Sequence, residues 1–591
     1  MSVSFLQIGR DLHRRGLLPQ AEQAYEQVLC RDPDSADALH LMGILRCQQQ
    51  RIAEGIAMMR RATASVPGNA AIWSDLGEAS MQAGDAVAAE SCFRQCCELQ
   101  SEDWRNFARL ADALASLGRA ADAVAALTEA IARKPGDAAL LNKRGAMRLA
   151  AGDAPSALDD LCFCLNLDPA HASALINLGV ANLQLGRFAK SVEYLHQAVA
   201  KRPASAEAHY NLGNALVQCD RIDDALQSFS RAAELSPAHA AARNNQGMAL
   251  TDLGRYDEAL AAYRQALNAD PQFADAQCNI GQIFLLRGQF EAGWRLYENR
   301  WRSPSLRDRH TTLPRWSCAE PLQDRRLLVW AEQGLGDAIQ FARFVPLLAA
   351  RCAQLVLEAP AELKELLRSV GGADSVHAVG EPLPECDLQI PLMSLGFALA
   401  VDSSTIPAQV PYLRAKYESG PGVPRTGNGR PRVGIVCSGS AAHKNDRNRS
   451  IPLREFAPLG ELAQCLLIQP EVRTGDLDTL REGWIRDCRA LIGDLQDTAE
   501  LLNTLDLLIS VDTSVAHLAG AMARPVWILL PYSPDWRWML DRSDSPWYPT
   551  ARLYRQPRPG DWASVIAQVT DALRLRFTEE YFAATTARSQ S

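Results

Sequence analysis

Along the first 301 residues, apolar positions recur at the three-to-four-residue spacing of helix faces, and a proline breaks the pattern at 33, 67, 135, 169, 203, 237 and 271, with Ser101 at the missing grid point. Ten residues after each grid point stands a small residue: Gly43, Gly77, Ala111, Gly145, Gly179, Gly213, Gly247 and Gly281, with Gly9 before them. A second small column (Ala21, Gly55, Ala89 and onward to Gly293) is followed four positions later by a large one, Tyr25, Met59, Phe93, Leu127, Leu161, Leu195, Phe229, Tyr263 and Tyr297. Small residues let two helices approach, the large residue fills the groove between them, and proline stops the second helix. This 34-residue period predicts about nine helix pairs over 1–301, stacked as a right-handed solenoid with a concave face.

After Trp301 the period stops, and residues 302–325, with several prolines and charges, read as a linker or docking segment. Short apolar runs then alternate with helical stretches: Leu327–Trp330, Leu355–Leu357 and Leu388–Ile390 as strands, Ala338–Ala350 and Ala361–Val370 as helices. That order predicts a parallel α/β lobe over 326–418. A Gly/Pro hinge at 419–430 leads to a second lobe, 431–575, with strands Val433–Val436, Cys465–Ile468, Leu507–Val511 and Val526–Leu530, and a tail from 576 to 591. Two such lobes form a cleft at the carboxyl ends of their sheets.

Composition narrows the partners more than the fold. A net charge of −8 argues against a general nucleic-acid binder, which needs a surplus of Lys and Arg, and leaves room for local basic sites. The 15 cysteines lack metal spacing and read as small buried hydrophobes in a reducing compartment. No stretch has signal-peptide or membrane-span character, so a cytoplasmic location is expected.

Four groups of residues carry candidate chemistry. Asn177, Asn211, Asn245 and Asn279 stand two residues before the repeat glycine in four consecutive repeats, and a row of amides on an inner face can hold an extended peptide by its backbone. In "WAEQGLGDAIQ", Gly334 and Gly336 turn the chain tightly at a strand end, and Asp337 caps the next helix or points into substrate space. In "CSGSAAHKNDRNRS", Ser438 and Gly439 precede Lys444, Arg447 and Arg449, a cationic loop suited to a diphosphate leaving group without a metal. In "SVDTSVAHLAGA", the amides of Thr513, Ser514 and Val515 open a helix that can cradle phosphate, with Asp512 before it and His517 in its first turn. Glu471, past a strand end, is a candidate ribose contact, and Trp536, Trp538, Trp547 and Tyr548 either stack on a base or sugar or pack the lobe interface.

The first half resembles the tetratricopeptide repeat family in period and signature positions. "GLGDAIQFARFVPLL", "RSIPL" and "DTSVAHLAGAMARPVWILL" together resemble the bacterial heptosyltransferase-like family of inverting glycosyltransferases (family 9) over 326–575. The resemblance implies a GT-B fold of two Rossmann-like lobes, Asp337 as general base, Arg449 at the leaving diphosphate, and Asp512, Thr513 and His517 as donor contacts. The sequence departs from that family at Ile451, where an aromatic is usual, and in "PYSPDWRWMLDRSDSPWYP" after the last strand. The joined architecture resembles bacterial repeat-bearing glycosyltransferases associated with flagellin. It implies transfer of a sugar from a nucleotide-sugar to Ser or Thr hydroxyls of a protein held by the repeats, flagellin being the best single acceptor, with no cofactor or metal and a possible homo-oligomer. An enzyme of lipopolysaccharide or cell-surface glycan assembly, or a non-catalytic scaffold, are the alternatives.

Overall fold

The computed structural model describes residues 2–303, 306–418, 430–441, 443 and 445–589, with side chains undescribed at 2–4 and 578–589. Lys444 and 419–429 of the predicted hinge lie outside the described residues. The chain divides into two compact units, Met1–Pro237 and Ala238–Ser591.

Among its described residues the first unit is all helical, fourteen helices from Ser2–Arg14 to Ile222–Leu235. The predicted columns do what their spacing implies. A Cβ added to Gly77, Gly145, Gly179 or Gly213 would collide with Phe93, Leu161, Leu195 or Phe229, each one helix later and fully buried. These contacts set how closely the paired helices lie, so either partner's replacement opens a cavity or a clash. Aspartates start several helices: the carboxylates of Asp85, Asp103, Asp137 and Asp153 accept first-turn amides.

A third column governs the turn inside each pair. Gly16, Gly84, Gly118, Gly152 and Gly186 all adopt positive φ, and Gln50 and Asp220, on the same 34-residue grid, are forced to φ 65° and 59°. A side chain there strains the backbone, which glycine relieves.

In the second unit four more helices, Ala240–Asp252, Tyr256–Ala269, Ala274–Leu286 and Phe290–Tyr297, continue the repeat register before a 3-10 turn, Glu298–Arg302. The unit boundary thus falls at 237 rather than at the end of the repeats near 301, and Trp294 supplies the reason. Its indole Nε1 donates to Val401 O at 2.9 Å, its ring meets Trp536 edge-on at 5.1 Å, and Gly396 lies against its face. One apolar core runs from Leu285, Phe290 and Trp294 into both sheets. Deleting Trp294 from such a core costs about 3–5 kcal/mol.

The first sheet comprises β1 (Arg326–Trp330), β2 (Gln354–Ala359), β3 (Ser375–Ala378) and β4 (Leu388–Pro391), all parallel, in the order β3-β2-β1-β4. The second comprises β5 (Arg432–Val436), β6 (Gln464–Leu467), β7 (Ile485–Asp487), β8 (Leu507–Val511), β9 (Val526–Leu530) and β10 (Ala551–Arg555), also parallel, in the order β10-β9-β8-β5-β6-β7. Strands β3, β7 and β10 were not expected; β7 exposes Arg486 and Asp487, and such edge strands lack the apolar run that marks a buried one. The expected single helix 338–350 is broken into Leu335–Phe341, a 3-10 turn and Val345–Ala349, the last with Pro346 in its first turn. The segment after 305 docks on the first sheet: Arg309 and His310 both reach Glu358, at 2.8 and 2.9 Å, and Trp316 N donates to Gln389 O at 2.9 Å. Among the described residues no helix is long and apolar enough to cross a membrane.

Replacing Gln50 with Gly should raise the stability of the first unit by about 1 kcal/mol, because the side chain is exposed and only the strained φ changes. Urea unfolding followed by circular dichroism checks this; an unchanged or lower midpoint contradicts it.

Candidate functional site

In each sheet one strand has neighbours reached by crossovers in opposite directions, and the loops leaving that strand open a crevice. In the first sheet that strand is β1, between β2 and β4; in the second it is β5, between β6 and β8. The loop after β1 carries Gly334, Gly336 and Asp337, and the loops after β5 and β8 carry Ser438–Arg449 and Asp512–His517. Topology thus puts the sequence candidates from both lobes at the two switch points.

Asp337 sits in the first turn of the helix Leu335–Phe341, where its Oδ2 accepts the Gly334 amide at 2.9 Å. Its Oδ1 is ion-paired with the Nη2 of Arg537, a buried residue of the other lobe. Arg537 also donates from Nε to Gln340 Oε1 at 2.5 Å and from Nη1 to Asp535 at 2.8 Å. Burial alone would weaken the Arg537 charge, but Asp535 and Asp337 more than offset it, and its pKa is raised. Asp337 therefore both caps its helix and faces the cleft, as a paired carboxylate. Gly336 permits the lobes to close on one another: a Cβ there would stand 2.9 Å from His517 Cδ2.

Asp512 and His517 form the opposing wall. Burial, then the neighbouring Asp535, raises the Asp512 pKa, against the pull of Trp538, Arg449 and Arg537. His517 is pushed well below its usual 6.5, first by burial and then by Arg537, Arg343 and Arg449, so it is a neutral imidazole. Its Nδ1 hydrogen-bonds Tyr548 OH at 2.9 Å, its Nε2 lies 3.7 Å from Asp512 Oδ1, and its ring stacks on Trp538 at 5.2 Å. Thr513 is buried, with its hydroxyl 3.1 Å from that of Ser510, and Ser514 begins the helix Ser514–Ala521.

The Arg449 guanidinium lies against Gly439 and donates to Asp512 O at 2.8 Å. Ser438 is already engaged: its amide donates to Gln469 Oε1 at 3.3 Å and its hydroxyl accepts from Gln469 Nε2 at 3.1 Å. Arg447 comes within 3.7 Å of Asp252 at the end of the repeat helix Ala240–Asp252. Glu471 is exposed beyond β6.

Trp538, Trp547 and Tyr548 are wholly buried and Trp536 nearly so, which makes them interior packing rather than an open stacking platform. The asparagine ladder is partly spent on the repeats themselves. Asn177 and Asn279 donate from Nδ2 to Asn142 and Asn244 of the preceding repeat, each at 3.0 Å, Asn245 Oδ1 accepts from Asn244 Nδ2 at 3.3 Å, and Asn211 is half-buried. Asn177 and Asn211 belong to the first unit, Asn245 and Asn279 to the second.

Sequence reasoning missed Arg537, Asp535 and Gln340, because "PYSPDWRW" drew notice for its aromatics rather than for the charges among them. It also placed Tyr297 in the packing column. Gly281 instead meets Leu296 and the backbone, and Tyr297 OH reaches Gln333, beside Gly334, at 3.1 Å. The helix Phe290–Tyr297 stops early, which frees that side chain to brace the cleft turn.

Comparisons with known proteins bear on the first half. Tetratricopeptide repeat family models match residues 12–76 and, separately, 109–162, 165–205 and 176–240, and a TPR repeat model matches 247–288. The chain carries tetratricopeptide repeats. Protein FlbA of Caulobacter vibrioides is 25% identical over 331 residues, 49% of this chain and 54% of that protein. The chain spans about half the length of this curated relative. Among solved structures, a thermophilic TPR protein of Thermus thermophilus is 24% identical over 29% of this chain and 95% of its own, with a TM-score of 0.27. YrrB, a TPR protein with an unusual peptide-binding site, is 24% identical over 32% of this chain and 95% of its own, with a TM-score of 0.27.

The buried neutral His517 sets a sign for acid stability. Below its ordinary pKa of 6.5 the unfolded chain takes a proton there and the folded chain does not, so this residue's contribution falls as pH drops. His517→Gln should flatten the loss by about 1 kcal/mol between about pH 6.5 and 5.5. Urea midpoints by Trp fluorescence at both pH values check it; identical slopes for the two proteins contradict it.

Proposed function

We propose that the second unit is an inverting, metal-independent glycosyltransferase of GT-B architecture, and that the repeats present a protein acceptor to it. The observation that carries this reading is the meeting of two switch-point turns, Gly334–Asp337 and Asp512–His517, around Arg449 and Arg537. Two of the three heptosyltransferase-like motifs begin at those turns, and the third, at 449–453, begins with Arg449 itself.

In this reading an acceptor Ser or Thr oxygen attacks the anomeric carbon of a nucleotide-sugar. Its proton passes to the Asp337 carboxylate, and the sugar–phosphate bond breaks with its electron pair going to the nucleoside diphosphate. Negative charge then grows on that leaving group beside Arg449, which already donates to the Asp512 carbonyl. The neutral His517 offers a hydrogen bond to the donor rather than a charge. The repeats add affinity remote from the reacting atoms, and that binding energy positions a weak nucleophile. Flagellin is the proposed acceptor and the cytoplasm the proposed site of action.

The test is intact-mass analysis of flagellin from cells carrying the wild type, Asp337→Ala, or a deletion of residues 1–237. The deletion stops at 237 because Trp294 and Tyr297 belong to the core and cleft of the second unit. Removal of a general base lowers transfer by about 10²–10⁴-fold. Sugar mass should be lost in both variants. Unmodified flagellin in all three strains removes it as acceptor; a change confined to lipopolysaccharide would assign the enzyme to surface glycan assembly.

A further inference from the structure

We infer that Arg537 is shared between Asp337 and the donor diphosphate, so that donor binding releases the base and the nucleotide-sugar must bind before the acceptor. The inference rests on the glycosyltransferase reading but is tested apart from it.

Three observations lead there. Both oxygens of Asp337 are occupied, Oδ2 by the Gly334 amide and Oδ1 by the Arg537 guanidinium. While the Gly334 amide holds Oδ2 and Arg537 holds Oδ1, an acceptor hydroxyl has to displace one of them to reach the carboxylate. Next, the cleft is acidic. Asp337, Asp512 and Asp535 face Arg449 and Arg537, so a diphosphate entering it meets three carboxylates and has to compete for the two arginines. Arg449 is already engaged by the Asp512 carbonyl and lies near Asp446, so of these two arginines Arg537 is the one whose partner can be exchanged. Finally, Arg537 is anchored for such an exchange. Its Nε and Nη1 stay on Gln340 and Asp535 while Nη2 alone holds Asp337. The amide that accepts from Nε, Gln340, is wholly buried, yet its Nε2 donor has no partner. A buried donor left unpaired costs about 1–3 kcal/mol, and a phosphate oxygen drawn to Arg537 would satisfy it.

The sequence of events then balances. Diphosphate oxygens take the Nη2 donor and Asp337 is left with the Gly334 amide and a free oxygen. The acceptor hydroxyl gives its proton to that oxygen as its own oxygen bonds to the anomeric carbon, and the bond to the diphosphate breaks, its electrons leaving with the nucleotide. When the nucleoside diphosphate departs, the proton on Asp337 passes to solvent water and Arg537 returns to the ionised carboxylate.

Isothermal titration of the full chain with inorganic pyrophosphate tests the sharing. Arg537→Gln should bind at least about tenfold more weakly than the wild type, a change of about 1.4 kcal/mol. Asp337→Asn should bind about fivefold or more tightly, because the competitor for Arg537 is gone. In the Arg537→Gln background the Asp337→Asn gain should shrink below about twofold, the mark of a coupling between the two residues. A gain that persists without Arg537 would be long-range charge and would overturn the inference, as would weaker binding by Asp337→Asn or no pyrophosphate binding by the wild type at millimolar concentration. Should Arg537→Gln fail to fold, Arg537→Lys keeps the charge with fewer donors and must still reduce both the affinity and the Asp337→Asn gain. If Asp337→Asn keeps full transferase activity while the cycle shows coupling, the base assignment falls and the sharing of Arg537 stands.

Discussion

The second unit turns on a single buried guanidinium. Arg537 enters from the loop after β9 and holds Asp535 of its own loop together with Gln340 and Asp337 of the helix after β1. Isolated in an apolar interior such a charge would be strongly unfavourable, so its three partners are conditions of the fold. Around it Gly336 lets His517 come into contact, and the buried Trp536, Trp538 and Trp547 pack the surrounding interior. Low local dielectric strengthens every charge interaction in the cleft, which is what a site for a diphosphate needs.

The repeats reach this cleft by packing rather than by a linker. Trp294 and Tyr297 occupy the last repeat helix, yet one is sealed in the α/β core and the other holds Gln333 next to the Gly334 turn. Arg447 approaches Asp252, and Tyr256 OH lies 3.4 Å from Ser533 Oγ. The final two repeats are therefore structural parts of the α/β unit.

Much of this was legible in the sequence for physical reasons. Helix pairing depends on residues 34 apart and on a small residue facing a large one, a signal that repetition amplifies until noise cannot hide it. Buried parallel strands such as β5, β8 and β9 read as continuous apolar runs, and the loops after them sit where topology puts ligands. Edge strand β7, half polar, did not read as a strand. The pairing of Asp337 with Arg537 joins residues 200 apart and obeys no periodicity, so only the three-dimensional structure could bring it out. Tyr297 was misplaced because its column predicted packing and the early end of its helix carries no signal in the residues themselves. Trp536, Trp538, Trp547 and Tyr548 could equally have been a stacking surface, and burial decided for the interior.

The account stands on the claim that both switch points form one site for a nucleoside diphosphate. The most direct measurement is the thermal midpoint of the wild type and of Arg449→Ala with UDP, GDP, ADP and dTDP, each in the presence of EDTA. A ligand at about 100 times its Kd stabilises the folded state by about 2.7 kcal/mol. At least one nucleotide should raise the midpoint of the wild type by several degrees and leave Arg449→Ala unmoved; no shift with any of the four, or equal shifts in both proteins, would contradict it.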